Sequence, residues 1–423
     1  MKKLYFSMLL TLLMVCHFSI IAQDSTAVEK WGQLRVEGTN IVDQYGNPVA
    51  LRGMSLFWSQ WIGKYYNEEC IEWLKDDWQC TVVRAAMAAG SGGYLENPET
   101  EFAKIETVID ACLDLGIYVI VDWHDHEAEN HVEAAIEFFT QIAQNYGDEP
   151  NLIYEIYNEP LQVSWVNVVK PYADTLVTEI RAIDPDNIII VGTPTWSQDV
   201  DAASRNPVED DNVAYAIHFY SGTHTQWLRN KCVTAMNNGA ALFVSEWGTC
   251  ESNGNGDIFY DETEKWFDFM DEHMLSWCNW SIADKDESSA ALMPGASATG
   301  GWSDADLSES GAYVRGAIIS WSEYGTGVVT QDVISSSQFS MVQNYPNPFN
   351  QQSVIRYQLS TGGMVQVKVF DIRGLEVVTL LDEKQEAGSH QIRFDGTHLA
   401  SGIYVVQLNV GEHVVRHKMM LMK

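Results

Sequence analysis

The sequence predicts an α/β protein, a (β/α)8 TIM barrel followed by a small antiparallel β-sandwich. Three observations predict it. Eight short β-branched runs alternate with amphipathic stretches along the first three quarters of the chain. Polar or aromatic side chains recur at the C-terminal ends of those runs. Near the C-terminus the hydrophobic period falls to two.

The 423 residues exceed one ordinary domain. Lys2 and Lys3 precede an apolar run from Leu4 to Ile21, and Ala22 stands before Gln23-Asp24, so residues 1–22 read as a signal peptide. Cys16 would suit a lipid-anchored start, but the bulky Val15 precedes it where a small residue belongs. No other long apolar run follows. The strand candidates are Val49–Phe57, Thr81–Met87, Tyr118–His124, Leu152–Asn158, Ile188–Thr193, Val213–Tyr220, Leu242–Trp247 and Leu275–Ile282. Helical periodicity lies between most of them, as in Glu101–Leu115 and Val132–Tyr146, and the last helix candidate is Ala312–Trp321. A doubly wound open sheet would put a glycine-rich phosphate loop after its first strand, and none is present. Residues 23–321 therefore form the barrel domain. Residues 322–340 are polar, include Ser335-Ser336-Ser337, and read as a linker. Residues 341–423 form the sandwich. Its strand candidates are Val354–Leu359, Met364–Phe370, Glu376–Leu381, Ser389–Phe394, Gly402–Val410 and Glu412–Leu421, separated by turn signals such as Thr361-Gly362-Gly363.

The net charge of -33 is unevenly placed. Residues 25–337 hold 15 Lys+Arg against 50 Asp+Glu, whereas residues 338–423 hold 8 against 7. So acidic a barrel repels nucleic acid and anionic membranes, and a neutral substrate is the natural partner. The same acidity keeps an exported protein soluble. Seven cysteines are present, six after cleavage, with no C-x-x-C and no zinc-like spacing. Export permits disulfides, while the apolar surroundings of Cys80 and Cys278 suit buried thiols equally well.

In a parallel barrel, side chains at the C-terminal strand ends converge on one face. Here those ends carry Arg84, His124, Asn158-Glu159, His218 with Tyr220, Glu246 and Trp280. Any one of them could be a satisfied rim residue, but the set is too regular for scattered surface polarity. Two carboxylates stand out, Glu159 in LIYEIYNEP and Glu246 in ALFVSEWGT. Two carboxyl groups flanking one bond are what glycoside hydrolysis needs. About 5–5.5 Å between them implies retention of configuration, and about 6.5–9.5 Å implies inversion. The acid must hold a proton at working pH, and a second carboxylate nearby favours that. His124-Asp125-His126 has no third partner at ligand spacing, so no metal site and no cofactor are expected.

These residues sit in motifs that occur in order along residues 35–321. They are Leu51-Arg52-Gly53-Met54-Ser55, Val83-Arg84-Ala85-Ala86-Met87, Asp122-Trp123-His124, Asn158-Glu159-Pro160, the run from His218 to His224, Ser245-Glu246-Trp247-Gly248-Thr249, and Trp280-Ser281 followed by the run from Lys285 to Leu292. The segment resembles glycoside hydrolase family five, in its bacterial endoglucanase branch. The resemblance implies a secreted endo-β-1,4-glucanase acting on cellulose-type glucans with retention. It implies Glu159 as general acid and then base, and Glu246 as nucleophile. It implies that Asn158 bonds the sugar 2-hydroxyl, that Arg84 and Tyr220 hold the nucleophile, and that His124 and His218 position hydroxyls and the acid/base. Trp280 becomes a sugar platform, with Lys285 and Glu287 bonding hydroxyls nearby. With 15 Trp in the chain, Trp58, Trp61 and Trp247 are further platform candidates. Many relatives carry a histidine and a glycine where Phe57 and Trp58 stand, and a tyrosine where Ala88 stands, so sugar contacts at that end of the cleft must differ. Mannanase or xyloglucanase activity, or a non-catalytic glycan-binding role, are the alternatives on this scaffold. A monomer is expected.

Residues 341–423 carry Asn344-Tyr345-Pro346-Asn347-Pro348-Phe349-Asn350, then Val369–Gly374, Leu399–Tyr404 and the basic end Arg416–Lys423. They resemble the C-terminal sorting domain of the type nine secretion system. The resemblance implies an outer-membrane secretion machinery as partner and an extracellular or cell-surface destination. A carbohydrate-binding module is the competing reading, but the segment has no Trp, and its aromatics fall mostly on alternating strand positions.

Overall fold

The computed structural model describes residues 25–325, 339–345, 349–359, 361–371, 375–400, 402–410 and 413–421. The signal-peptide reading, and the linker between 326 and 338, lie outside them.

The chain first makes a hairpin of β1 (Arg35–Glu37) and β2 (Asn40–Val42). Eight strands then close a barrel: β3 (Arg52–Leu56), β4 (Val82–Ala88), β5 (Tyr118–His124), β6 (Leu152–Glu155), β7 (Ile189–Val191), β8 (Val213–Tyr220), β9 (Ala241–Gly248) and β10 (Trp277–Ile282). Each pairs in parallel with the next, and β10 closes on β3. All eight match the runs expected from the sequence. The ends differ where the backbone is crowded. β7 stops at Val191, before Gly192, where a Cβ would fall 2.1 Å from the Tyr157 carbonyl oxygen.

Alternation along the strands sorts their side chains into two cores. Val83, Val119, Val121, Leu152, Tyr154, Ile217 and Val244 face outward and pack under the helices. Val82, Ile120, Ile153, Ile190, Ala214, Ala216 and Phe243 face inward, and Leu34 and Ile41 beside them close the barrel's N-terminal end. The helices follow their sequence signals. The one at Pro98–Leu115 has Pro at its first turn and ends at Gly116, whose φ of +65° lets its N–H reach back to Cys112 and Leu113. The helix at Val132–Tyr146 has the expected bounds, and the last runs Glu309–Gly325. That last helix takes in residues 322–325, which the sequence reading assigned to the linker.

The C-terminal module has two antiparallel sheets. One orders β11 (Phe339–Tyr345), β12 (Gln352–Leu359) and β15 (Gly388–Asp395). The other orders β14 (Glu376–Gln385), β13 (Gly363–Asp371), β16 (Gly402–Val410) and β17 (His413–Leu421). Tyr357 and Phe394 of the first sheet share a core with Val367, Val406 and Met419 of the second, which makes a sandwich. β11 begins inside the stretch read as linker. The polar residues Ser340, Gln343 and Asn344 hide its alternation.

Among the described glycines Gly53 is the most closely confined, since a Cβ there would lie 1.7 Å from the Val82 carbonyl oxygen. Gly53→Ala must push β3 from β4, at a cost of about 1–3 kcal/mol. All 15 Trp lie between Trp31 and Trp321, so their emission in a urea titration reports on the barrel alone. A midpoint equal to wild type would show that the two strands do not approach this closely.

Candidate active site

The inward side chains change character along the strands. Above the apolar layer come Arg84, Asp122, Glu155 and Ser245, all fully buried, and above these His124, Asn158, Glu159, Tyr220, Glu246 and Trp280. Strand alternation alone produces the series Ile120, Asp122, His124 and the series Ala216, His218, Tyr220.

β9 departs from this rule. Between the pairs Ala216–Phe243 and His218–Glu246, β8 advances two residues and β9 advances three. The extra residue is a bulge, which re-aims the side chains that follow. Both Ser245 and Glu246 thereby serve the interior, and Trp247 turns outward. Trp247 is 0% exposed, enclosed by Phe219, Phe267 and Trp277. Its expected role as a sugar platform is therefore corrected: it has no open face and is a core residue.

Glu246 is held at both oxygens. Tyr220 Oη donates to Oε1 at 2.8 Å, and Arg84 Nη1 donates to Oε2 at 3.1 Å. Arg84 also donates from Nε to Glu155 Oε2 at 2.7 Å and from Nη2 to Asn158 Oδ1 at 2.7 Å, with Asp122 Oδ2 2.9 Å from Nη2. Burial alone would lower its guanidinium, but Asp122, Glu155 and Glu246 hold it well above its ordinary value. Glu159 faces Glu246 from the other side, its Oε1 3.0 Å from His218 Nδ1. One ligand atom from each of Glu159, His218 and Glu246 falls within 4.8 Å of the others. One oxygen of each carboxylate thus lies within 4.8 Å of the other, close enough for the retaining arrangement. Close acidic groups can also attract a cation, but here the Arg84 guanidinium already supplies the positive charge.

The protons follow from these contacts. Burial pushes Glu159 up, but the hydrogen bond and charge of His218 outweigh it and bring it below its ordinary value. Burial and then the Glu159 charge push Glu246 up, against His218, Arg84 and Tyr220. Burial would lower His218, but Glu155 and Glu159 bring it up to about 9. His124 is held well below its ordinary value by burial and then by Arg84. Its Nδ1 lies 2.6 Å from Asp122 Oδ2, which leaves Nε2 toward a ligand.

An aromatic wall flanks the pair. Trp280 is 6% exposed, stacked on His124 at 5.2 Å and against Phe57 at 5.2 Å. Trp58 meets His124 edge-on at 4.1 Å and Trp61 at 5.0 Å, and Trp61 is 59% exposed. Lys285 Nζ lies 5.2 Å over Phe57 and 2.5 Å from Glu287 Oε2. Ala88 is fully buried and donates its N–H to Ser59 Oγ. The fold thus gathers Arg84, His124, Asn158, Glu159, His218, Tyr220, Glu246 and Trp280 into one site, with Trp61, Lys285 and Glu287 along its wall. Sequence reasoning left Asp122, Glu155, Ser245 and Trp196 without roles. Their signal was a polar residue inside an apolar strand or, for Trp196, an aromatic just past a strand end. Trp196 is 38% exposed, and its N–H bonds the Pro160 carbonyl beside Glu159. Thr195, Trp196 and Ser197 all have φ between 55° and 61°, the kind of backbone strain that gathers at functional sites. A hollow of about 780 Å³ near Glu37, Glu209 and Tyr215 lies at the other end of the barrel and holds none of these groups.

Comparison with known proteins agrees with this geometry. The family model described as cellulase (glycosyl hydrolase family 5) matches residues 42–286, and that of a secretion system C-terminal sorting domain matches residues 343–422. Endoglucanase A of Evansella cellulosilytica is 52% identical over 302 residues, which are 70% of this chain and 62% of that protein. An endoglucanase of Clostridium saccharobutylicum is 45% identical over 75% of this chain and 72% of its own. A solved structure from Cytophaga hutchinsonii is 54% identical, with a TM-score of 0.69 over 70% of this chain and 96% of that one. The catalytic domain of a Thermobifida fusca endoglucanase is 35% identical, with a TM-score of 0.67 over 70% of this chain and 99% of that one. Since the match runs through the barrel and both carboxylate-bearing strands, the chain belongs to glycosyl hydrolase family 5 and carries a C-terminal sorting domain.

Proposed function

We propose that the protein is a secreted endo-β-1,4-glucanase that hydrolyses cellulose-type glucans with retention of configuration. The observation that carries this reading is the short separation of Glu159 and Glu246, one bonded to His218 and the other to Arg84 and Tyr220. Glu246 attacks the anomeric carbon while Glu159 protonates the departing glycosidic oxygen. A water deprotonated by Glu159 then releases the glycosyl group from Glu246. A proton on His218 Nδ1 needs to cross only 3.0 Å to load Glu159. That transfer removes the Glu159 charge that raises Glu246 along with the smaller, opposing charge of His218, so loading the acid eases ionisation of the nucleophile. Asn158 spends Oδ1 on Arg84, which leaves its Nδ2 to bond the sugar 2-hydroxyl. Trp61 and Trp196 offer ring faces to the chain, Trp280 closes the wall beside the pair, and Lys285 with Glu287 offers polar atoms. The name endoglucanase, carried by the relatives, supports glucan as the backbone.

The test is the viscosity of a soluble cellulose derivative. The full chain is expected to thin it quickly with few new reducing ends. Glu159→Gln should lose about 10²–10⁴ of the rate, the usual worth of a general acid. Glu246→Gln should abolish it. Thinning of mannan or xyloglucan alone would move the substrate within the family, and no action on any of them would point to a binding role.

The proton arrangement fixes the pH profile. Activity requires Glu246 ionised, so it falls as pH drops through a carboxyl raised above the ordinary value of about 4.3. It also requires a proton on the Glu159–His218 pair, so it falls as pH rises toward about 9. In kcat/KM profiles, His218→Asn should move the alkaline limb to lower pH. An unmoved limb would remove His218 from the scheme.

We further propose that residues 341–423 direct the enzyme through an outer-membrane secretion machinery to the cell surface or beyond. Deleting them is expected to stop export while purified activity persists. Lost activity on soluble substrate would contradict the division of labour.

A further inference from the structure

We infer that Glu155 is a positioning residue that couples the acid/base to the nucleophile, working through Ser245 and His218 on one side and Arg84 on the other. The inference rests on the retaining mechanism proposed above. Glu155 cannot touch a sugar, because it is 0% exposed in the run Leu152-Ile153-Tyr154-Glu155. Both of its oxygens are engaged. Oε2 accepts from Arg84 Nε at 2.7 Å, and Oε1 accepts from Ser245 Oγ at 2.6 Å. Ser245 Oγ lies 3.0 Å from His218 Nε2, and His218 Nδ1 lies 3.0 Å from Glu159. Arg84 Nη1 then reaches Glu246 at 3.1 Å. One unbroken hydrogen-bonded path therefore runs Glu159, His218, Ser245, Glu155, Arg84, Glu246.

Donor counting gives the path a direction. A serine hydroxyl has one hydrogen. Glu155 takes it, so Ser245 can only accept from His218, and Nε2 must carry its own hydrogen. The second proton of His218 then lies at Nδ1, against Glu159. Passing it to Glu159 Oε1 leaves a neutral imidazole that still donates from Nε2, and no other bond need change.

A plain counter-charge to Arg84 is the simpler role for Glu155, but Arg84 already faces Asp122 at 2.9 Å and Glu246 at 3.1 Å. One guanidinium cannot balance them all, and burial with the charges of Glu155 and Glu246 holds Asp122 well above its ordinary value. The surplus finds its counterion in His218, whose Nε2 is 3.6 Å from Glu155 Oε1. The charged and titratable groups around His218 are Glu155 and Glu159 at the end of β6, Glu246 on β9, Asp122 and His124 on β5, Arg84 on β4, and His224 beyond β8. Of these, Glu155 is the largest influence raising His218.

Glu155→Gln in the full chain tests the inference. The amide keeps the volume, removes the charge and can donate to Ser245, which frees that hydroxyl to donate to His218 Nε2. The alkaline limb of kcat/KM is expected to fall by about one pH unit or more. kcat should drop by more than about tenfold with little change in KM. Glu155→Asp should restore part of the limb. Ser245→Ala, which spares the Glu155–Arg84 contact, should shift the limb the same way, in a chain that still unfolds cooperatively in urea at a midpoint lowered by the two buried hydrogen bonds it loses. That second variant decides the matter if Glu155→Gln does not fold. An alkaline limb at its wild-type position in either folded variant overturns the coupling. A wild-type chain inactive on every glycan would instead count against the proposed function.

Discussion

Everything in the upper barrel depends on one buried guanidinium. Arg84 is 0% exposed, and its donors must find acceptors inside the barrel. They reach Ser55 on β3, Asp122 on β5, Glu155 and Asn158 at the end of β6, and Glu246 on β9. The side chain thus ties its own strand, β4, to four others that do not all neighbour one another in the sheet. Removing a single partner from a buried pair typically costs about 3–5 kcal/mol, because the other charge stays behind. Here the same bonds that hold the strands also aim Glu246, the proposed nucleophile, so stability and geometry of attack are one interaction. The apolar layer below keeps water from competing for those bonds.

The acidic surplus around Arg84 has a second consequence. Four carboxyl groups, Asp122, Glu155, Glu159 and Glu246, crowd one arginine, and like charges this close resist ionising together. The site must keep protons that isolated carboxylates would lose. His218 is the natural holder, since it bridges the deep member Glu155 and the shallow member Glu159. Exposure follows function. The Glu159 side chain is 15% exposed, open to a leaving group and to water, whereas that of Glu246 is 6% exposed and held from two sides. An acid that must trade protons needs access, and a nucleophile that must stay aimed needs enclosure.

Much of this was legible in the sequence. The eight β-branched runs with helical stretches between them identify the barrel, because parallel strands buried on both faces must be apolar. The strand ends carry Glu159 and Glu246, the pair proposed for catalysis, because side chains at those ends converge on one face. What was not legible depends on pairing between strands. Simple alternation puts Ser245 and Trp247 on one face and Glu246 on the other, and only the bulge against β8 reverses this. Nothing in ALFVSEWGT announces a bulge that forms against a strand more than twenty residues away. Glu155 looked like one polar letter in an apolar strand until Ser245 and Arg84 arrived from β9 and β4. The hairpin of β1 and β2 and strand β11 escaped notice because three-residue strands and polar edges lack a readable period.

One wall of the cleft beside the carboxylates is aromatic. The space is filled by rings in contact, Phe57 on Trp280, Trp58 on Trp61, and Lys285 laid over Phe57. Stacking on a ring face rewards the flat apolar side of a β-linked sugar but is weakly directional about its hydroxyls. A hydrogen-bonding site rejects a misplaced hydroxyl far more strongly, because its own buried groups are left unpaired. In the proposed function, discrimination between sugars therefore concentrates beside the carboxylates, at Asn158 and His124. Arg84 fixes Asn158, and Asp122 fixes His124. Asp122 itself lies 2.9 Å from Arg84, so both recognition contacts are oriented by the side chain that orients the nucleophile.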